Sequence, residues 1–413
     1  MQHKINDTDS SKNLIYLFSY KPTAWDAERY GFQYLLDNGV NLKVFDMSSM
    51  ISSRKQSPND FNYPYIKKIN SYKDFAEEVK NNSRTAIYID EINGLNGFQW
   101  QGRKIFQILK KYNAPYFLVE IGSLPLIAPQ DSRYWYSRLL KALNLKKLIA
   151  FLKWKAGKQL VNMQEKYLHS YQLPSKIFVG NSDMVMPYLH RYGLSKDILI
   201  PIHSFDYDRY LKHLREHKTT EVKDKKTCVF LDQALINHSD FGQSISFSPV
   251  TAEKYLPSMN QFFNKVERET GLELVIAASP RASIHAMQNM YGNRKVIKNK
   301  TLELVADSSL VLMHSSTAVS FPILFNKPIL ILKTAEMMHA HGYGNFLNNM
   351  AKSLGLKPIL IDSQIEIHKL NLHDYDKWKN NYDEYKFKYI MTPGLMDKTI
   401  WEILIEHIDH KLS

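Results

Sequence analysis

Residues 304–332, LVADSSLVLMHSSTAVSFPILFNKPILIL, constrain the fold more than any other part of the chain. The runs at 310–313 and 328–332 are apolar throughout, without the alternation of a half-exposed strand, so each reads as a strand buried on both faces of a parallel sheet. The segment between them, 317–325, has room for a short helix. The unit is therefore strand, turn, helix, strand, and its turn is His314-Ser315-Ser316-Thr317. Unpartnered N–H groups at a helix start, the helix dipole and the Ser/Thr hydroxyls together favour an anion such as a phosphate. The same serines serve equally well as plain helix caps, so the local pattern leaves both roles open.

The same alternation runs through the rest of the chain. In the first half, strands are expected at 14–19, 42–46, 85–89, 116–120, 176–179 and 198–202. Helices are expected at 23–38, 72–81, 101–112 and 184–192, the first stopped by Gly39. Acids stand just past two strand ends, Asp90 and Glu91 after one and Glu120 at another, which is where doubly wound sheets place their sites. The run 212–226, KHLREHKTTEVKDKK, is charged and nearly free of large apolar residues, and reads as a link. The second half restarts with CVFL at 228–231, ending in Asp232-Gln233, then a helix at 252–270 and a strand at 272–277 leading to Ser279-Pro280-Arg281. Beyond 304–332 come a strand at 358–361 and two further helices, the last at 397–410. The expected organisation is an N-terminal Rossmann-like domain at 1–211 with a basic helical insertion at 131–170, a linker at 212–226, a second Rossmann-like domain at 227–390 and a C-terminal helix at 391–413. The expected fold class is α/β, with two Rossmann-like domains facing each other across a cleft.

A chain of 413 residues suits two or three domains, and 44% hydrophobic with 23% charged residues is an ordinary globular balance. The formal charge of +13 directs attention to polyanionic partners. Much of it concentrates between Arg133 and Lys166, where the one acid is Glu165. There Lys146, Lys147 and Lys153 are interleaved with leucines at helical spacing and flanked by Trp135 and Trp154, a pattern suited to an anionic membrane surface. A core helix with a solvated basic face is the plainer alternative. No apolar run reaches the roughly 20 residues that span a bilayer, and the polar start MQHKINDTDSSKN has no apolar core of a secretory signal. The expected location is the cytoplasm, with peripheral attachment to the inner membrane through the basic segment. Cys228 stands alone in the sequence, which excludes an internal disulfide, and it reads as a small buried hydrophobe.

Several signatures are missing from the sequence. Without G-x-G-x-x-G opening a helix or G-x-x-x-x-G-K-[ST], dinucleotide redox chemistry and P-loop phosphoryl transfer are unsupported. No Asp-x-Asp pair directly follows a strand, and His339-x-His341 lacks a carboxylate partner, so no metal and no cofactor is expected.

The succession Leu231-Asp232-Gln233, Ser279-Pro280-Arg281, 300–306 and Met313-His314-Ser315-Ser316-Thr317-Ala318 with Asn326-Lys327-Pro328 resembles the nucleotide-binding domain of GT-B glycosyltransferases. It is most similar to bacterial surface-polysaccharide enzymes of the sialyl- and Kdo-transferase-like groups, which use CMP-sugars. The resemblance covers 227–332 at motif level and is architectural over the first half. It implies a nucleotide-sugar donor as co-substrate, held at its nucleotide and phosphate by Ser279, Pro280, Arg281, His314, Ser315, Ser316 and Thr317, the phosphate by the serine-rich turn. It also implies a glycan or lipid-linked glycan acceptor in the first domain. Where the family pattern has His-Pro this chain has Ser279-Pro280, and a serine is no general acid at neutral pH, so His314, His285 or His238 would have to supply one. The Ser320-Phe321-Pro322 turn replaces a Glu-rich ribose-binding helix, which favours CMP over UDP or GDP donors.

The implied reaction is metal-independent direct displacement at an anomeric carbon, needing a base for the acceptor hydroxyl and donors for the departing phosphate. Asp90, Glu91, Glu120 and Asp232 are the candidates for the base; each could instead be an ordinary cap. A CMP-polyol-phosphate transferase or a sugar-nucleotide epimerase is the alternative on the same fold. From another class, a nucleic-acid-binding protein would fit a pI near 9.3, and a non-catalytic scaffold would fit Ser279 in place of histidine. Against nucleic acid as a partner, the charge is concentrated in one apolar-rich segment and no recognised binding motif is present.

Overall fold

The computed structural model describes residues 13–51, 62–96, 102–121, 170–217, 226–236, 248–279, 289–340, 343–363 and 375–412, with isolated positions between them. These divide into two compact units. The described residues up to 121, those from 170 to 205 and those from 395 onward form the first, and those from 206 to 394 the second.

In the first unit, β1 (Asn13–Phe18), β2 (Asn41–Asp46), β3 (Ile66–Lys68), β4 (Ala86–Glu91), β5 (Tyr116–Glu120), β6 (Lys176–Val179) and β7 (Leu199–Pro201) form one parallel sheet. Their order is β3-β2-β1-β4-β5-β6-β7. The central strands are buried on both faces: in β1, Leu14, Tyr16 and Phe18 enter one core and Ile15 and Leu17 the other. Strand order reverses between β1 and β4, which pair with Phe18 opposite Glu91. A reversal of this kind opens a crevice at the strand C-termini.

The single helix expected at 23–38 is two helices, α1 (Ala24–Arg29) and α2 (Phe32–Asp37). Gly31 separates them at φ +59°, a left-handed conformation that glycine adopts without strain. A Cβ there would overlap the five-membered ring of Trp401, so the break is also a packing site. Trp401 belongs to the C-terminal helix, Ile400–Leu412. That helix sends Ile400, Trp401, Ile403, Leu404 and Ile408 into the core that holds Leu14, Tyr16 and Phe18. Burial of each such side chain is worth roughly 1.5–3 kcal/mol, so the last helix is an integral part of the first unit. Its approach is pinned by His203, fully buried, whose Nε2–H donates to the Leu395 carbonyl at 2.7 Å.

In the second unit, β8 (Thr227–Leu231), β9 (Glu273–Ala278), β10 (Val296–Lys298), β11 (Leu310–Met313), β12 (Ile329–Lys333) and β13 (Ile359–Leu360) form another parallel sheet. Its order, β10-β9-β8-β11-β12-β13, repeats the relative order of the first six strands in the other unit. The reversal here lies between β8 and β11, with Leu231 opposite Met313. Two parallel sheets, each wound in both directions from its first strand, are the α/β architecture expected for each half.

Two expectations shift. The charged run at 212–226 is not wholly a link: Lys212 to Glu216 continue the helix Phe205–Glu216, and the division between units falls ahead of it. Tyr207, Asp208 and Leu211 are that helix's buried face, so part of the charge run is its solvated side. The helix expected at 317–325 is a 3₁₀ turn, Thr317–Val319, followed by the short helix Ser320–Leu324. Pro322 is tolerated there because it falls in the first turn, where N–H groups lack helical partners anyway.

Candidate functional site

Of the four acids proposed as a base, three stand at the C-terminal edge of the first sheet. Glu91 ends β4, on the side of the strand that carries Ile87 and Ile89 into the core around Tyr16. Its Oε2 accepts a hydrogen bond from the Tyr30 hydroxyl. Its Oε1 is shut off from solvent and has no hydrogen-bond partner among the described residues. Burial raises the Glu91 carboxyl well above the usual carboxylate range; the Tyr30 hydroxyl and the Arg29 guanidinium pull it back, and the charges of Asp90 and Glu120 push it further up.

Tyr30 is 3% exposed and wedged among aromatic rings, with centroids 5.6 Å from Tyr16, 5.5 Å from Phe18 and 6.2 Å from Phe32. It follows α1, whose start is fixed by a capping box. Asp26 Oδ2 accepts from Thr23 N–H at 2.8 Å and Oγ–H at 2.6 Å, while Oδ1 accepts from Tyr20 Oη–H at 2.8 Å. One turn on, burial works against the Arg29 cation but Tyr30, Glu91, Tyr20 and Glu120 outweigh it, so its pKa is raised and it stays charged.

Asp90 is employed differently. Its Oδ1 accepts the N–H groups of Ile92 at 2.8 Å and Asn93 at 3.0 Å, closing the turn after β4, and burial lifts its carboxyl to about 6 against those bonds. Glu120, half-buried at the end of β5, lies within the electrostatic reach of both Arg29 and Glu91. The fourth acid, Asp232, belongs to the second unit and is committed there. Oδ1 accepts from Tyr291 Oη–H at 2.7 Å and Oδ2 from Ala234 N–H at 2.9 Å, which stabilises Ala234 at φ +52°.

At the second reversal, His314 departs from its expected role. It is fully buried; Nδ1 lies 2.8 Å from the Leu332 carbonyl and Nε2 lies 2.9 Å from Tyr255 Oη. A carbonyl only accepts, so the proton sits on Nδ1, and Nε2 accepts from Tyr255. Burial pushes this imidazole down to about 4. His314 is therefore a neutral strut between β11, β12 and the helix Ala252–Thr270, with no ring nitrogen left for a phosphate or for acid catalysis.

Ser315 is 2% exposed; its N–H donates to Gln233 Oε1 at 2.9 Å and its hydroxyl to Tyr343 Oη at 3.0 Å. Ser316 is 8% exposed, and its Oγ caps the 3₁₀ turn by accepting from Ala318 N–H at 3.2 Å. Ser316 is thus a cap, while the Ser315 hydroxyl is turned to Tyr343 and caps nothing. What the turn still offers are the backbone N–H groups of Ser316 and Thr317, which have no acceptor among the described residues, and the exposed Thr317 side chain. The half-buried Gln233 adds a further donor: with Oε1 turned to Ser315 N–H, its NH₂ faces the other way.

Ser279 follows β9, and its carbonyl accepts from Ala282 N–H at 2.9 Å. Pro280, Arg281, His238, His285 and His341 lie outside the described residues, as do Trp135, Lys146, Lys147, Lys153 and Trp154 of the basic segment. Among the described residues no group of three or more His, Cys, Asp or Glu is disposed to hold a metal, and no helix is long and apolar enough to cross a membrane.

The sequence does not single out Arg29, Tyr30 or Tyr343, and it shows Gln233 only as part of Leu231-Asp232-Gln233, without a role. Gln233 had a signal in its position after a strand end, and Tyr30 in its place before a glycine inside a helical pattern. Tyr343 had none, since it meets Ser315 and Gln233 from 28 and 110 residues away.

No protein-family model matches the chain, and no curated protein matches it in sequence. Solved structures similar to it include UDP-GlcNAc 2-epimerase from Neisseria meningitidis bound to UDP-GlcNAc, at 13% identity and a TM-score of 0.46 over 95% of this chain and 100% of that one. A putative UDP-N-acetylglucosamine 2-epimerase from Listeria monocytogenes aligns over 97% of each chain at 12% identity and a TM-score of 0.49. The wall teichoic acid polymerase TagF aligns over 98% of this chain and 90% of its own at 14% identity and a TM-score of 0.48. Likenesses of this degree carry no argument about reaction or substrate, so the chemistry has to be read from this chain's own residues.

Proposed function

We propose that the chain is a metal-independent glycosyltransferase that moves a sugar from a nucleotide-sugar, by preference a CMP-sugar, to a hydroxyl of a surface-glycan or lipid-linked glycan acceptor. The observation that carries this reading is Glu91: a buried carboxyl at a topological switch point, with one oxygen bonded to Tyr30 and the other unpartnered among the described residues, and raised by burial above the usual carboxylate range, which makes its ionised form a stronger proton acceptor. The Glu91 carboxylate takes the proton of the acceptor hydroxyl as the acceptor oxygen forms its bond to the anomeric carbon. The bond from that carbon to the phosphate oxygen breaks, and the nucleotide leaves with the electron pair. Within the second unit, the N–H groups of Ser316 and Thr317 and the amide of Gln233 are donors suited to a phosphate without a metal. The CMP preference rests on the Ser320-Phe321-Pro322 turn, and attachment to an anionic inner-membrane surface on the Lys146, Lys147 and Lys153 segment.

The test is turnover and thermal shift across CMP-, UDP- and GDP-sugars, with product analysis to separate transfer from epimerisation and from polyol-phosphate transfer. A donor at 100 times its Kd stabilises the native state by about 2.7 kcal/mol, an easily read shift. Glu91→Gln is expected to keep donor binding and lose transfer by a factor on the order of 10²–10⁴. Absence of binding and turnover with every donor, or full transfer by Glu91→Gln, overturns the assignment.

A further inference from the structure

The last helix of the chain reaches the Glu91 carboxyl through two packed residues. Trp401, 5% exposed, lies against Gly31, where its ring occupies the space a Cβ would need. The same indole meets the ring of Tyr30 edge-on, with centroids 6.4 Å apart and planes at 61°. Tyr30 in turn donates its hydroxyl to Glu91 Oε2. α1 is fixed at its start by the Thr23–Asp26 capping box, and the Tyr30 ring beyond its end is held between Trp401 and the rings of Tyr16, Phe18 and Phe32. We propose that Tyr30 is a positioning residue for Glu91, clamped by Trp401, so that docking of the C-terminal helix on the first unit orients the carboxyl and leaves Oε1 as its single free acceptor. The proposal rests on reading Glu91 as the acceptor base, but its structural content does not require turnover to be tested.

The charged and titratable groups facing Glu91 are Asp90 on its own strand, Glu120 on β5, Tyr16 on β1, Tyr20 in the turn after β1, and Arg29 and Tyr30 at the end of α1. Among them Tyr30 has a proton directed at the carboxylate. Removing that hydroxyl leaves both oxygens without a donor in a buried site, so the carboxyl must hold its proton to higher pH.

The experiment is an infrared pH titration of the full chain, following the C=O stretch of a protonated buried carboxylic acid and assigning it to Glu91 by its loss in Glu91→Gln. Tyr30→Phe retains the ring packing and is expected to move the titration midpoint upward by about one pH unit. Trp401→Phe, which thins the clamp without removing the aromatic contact, is expected to move it in the same direction by less. An unchanged midpoint in Tyr30→Phe overturns the positioning role, and an unchanged midpoint in Trp401→Phe overturns the clamp. If the midpoints move while Glu91→Gln still transfers sugar, the catalytic assignment of Glu91 fails and the positioning of its carboxyl by Tyr30 stands.

Discussion

His314→Phe separates a structural histidine from a phosphate ligand by its pH dependence. The substitution keeps a planar ring in a fully buried site but removes both hydrogen bonds, taking the acceptor from the Tyr255 hydroxyl proton and the ring N–H donor from the Leu332 carbonyl. Each unsatisfied buried group costs about 1–3 kcal/mol, so the variant should be less stable near neutral pH by about 4 kcal/mol. The sign of the pH effect follows from proton linkage. The imidazole titrates at 6.5 when free and at about 4 in the fold, so between those values the unfolded chain holds a proton that the native one lacks. Wild-type stability contributed by this group is present above 6.5 and is lost as pH falls toward 4, by about 3 kcal/mol. The phenylalanine variant has no such loss, and the gap between the two proteins should close to about 1 kcal/mol near pH 4. Urea denaturation at both pH values measures the gap, with hydrogen exchange at the β11 amides reporting the second unit on its own. A gap that does not change with pH refutes the neutral-strut reading. A variant of wild-type stability with weakened CMP-sugar binding would restore His314 as a ligand contact.

Gly31→Ala combines a left-handed backbone with overlap against Trp401, and is expected to lower stability by more than about 2 kcal/mol, read as a drop in thermal midpoint. Ser316→Ala removes a cap and should cost about 1 kcal/mol of stability while leaving donor affinity unchanged, because its hydroxyl already serves Ala318. Gln233→Ala is expected to weaken donor binding about tenfold by isothermal calorimetry, since it removes an oriented amide donor; wild-type affinity would exclude Gln233 from the donor site. Charge reversal at Lys146, Lys147 and Lys153 should abolish flotation with anionic vesicles and leave neutral-vesicle behaviour unaltered; equal flotation removes the membrane partner.

Much of the molecule was readable before any coordinates. The strand 310–313 is a continuous apolar run and 116–120 is apolar up to its closing Glu120, patterns that suit a sheet covered on both faces, and their bounds in the sequence are those of the fold. The helix at 252–270 carries its own stop in Gly271, which takes φ +71°. Asp90, Glu91 and Glu120 were legible as strand-end acids, but their separate duties were not. The sequence is silent on which carboxylate oxygens meet a backbone N–H, a tyrosine hydroxyl or nothing at all. His314 shows the same limit, because its neutrality depends on Leu332 and on Tyr255 from 59 residues away.

By itself, then, the chain's periodicity determined that it builds two α/β units from parallel strands, because burial on both faces and short connections are local properties of composition and spacing. Tertiary structure alone decided the strand order, and with it the two reversals where Glu91 and the Ser316–Thr317 turn stand. It also decided that the last helix belongs to the first unit, since Trp401 and Gly31 lie some 370 residues apart and meet only through packing. The charge state of Glu91 depends on that packing as well, because desolvation and the Tyr30 hydroxyl act over a few ångströms of space and not along the chain.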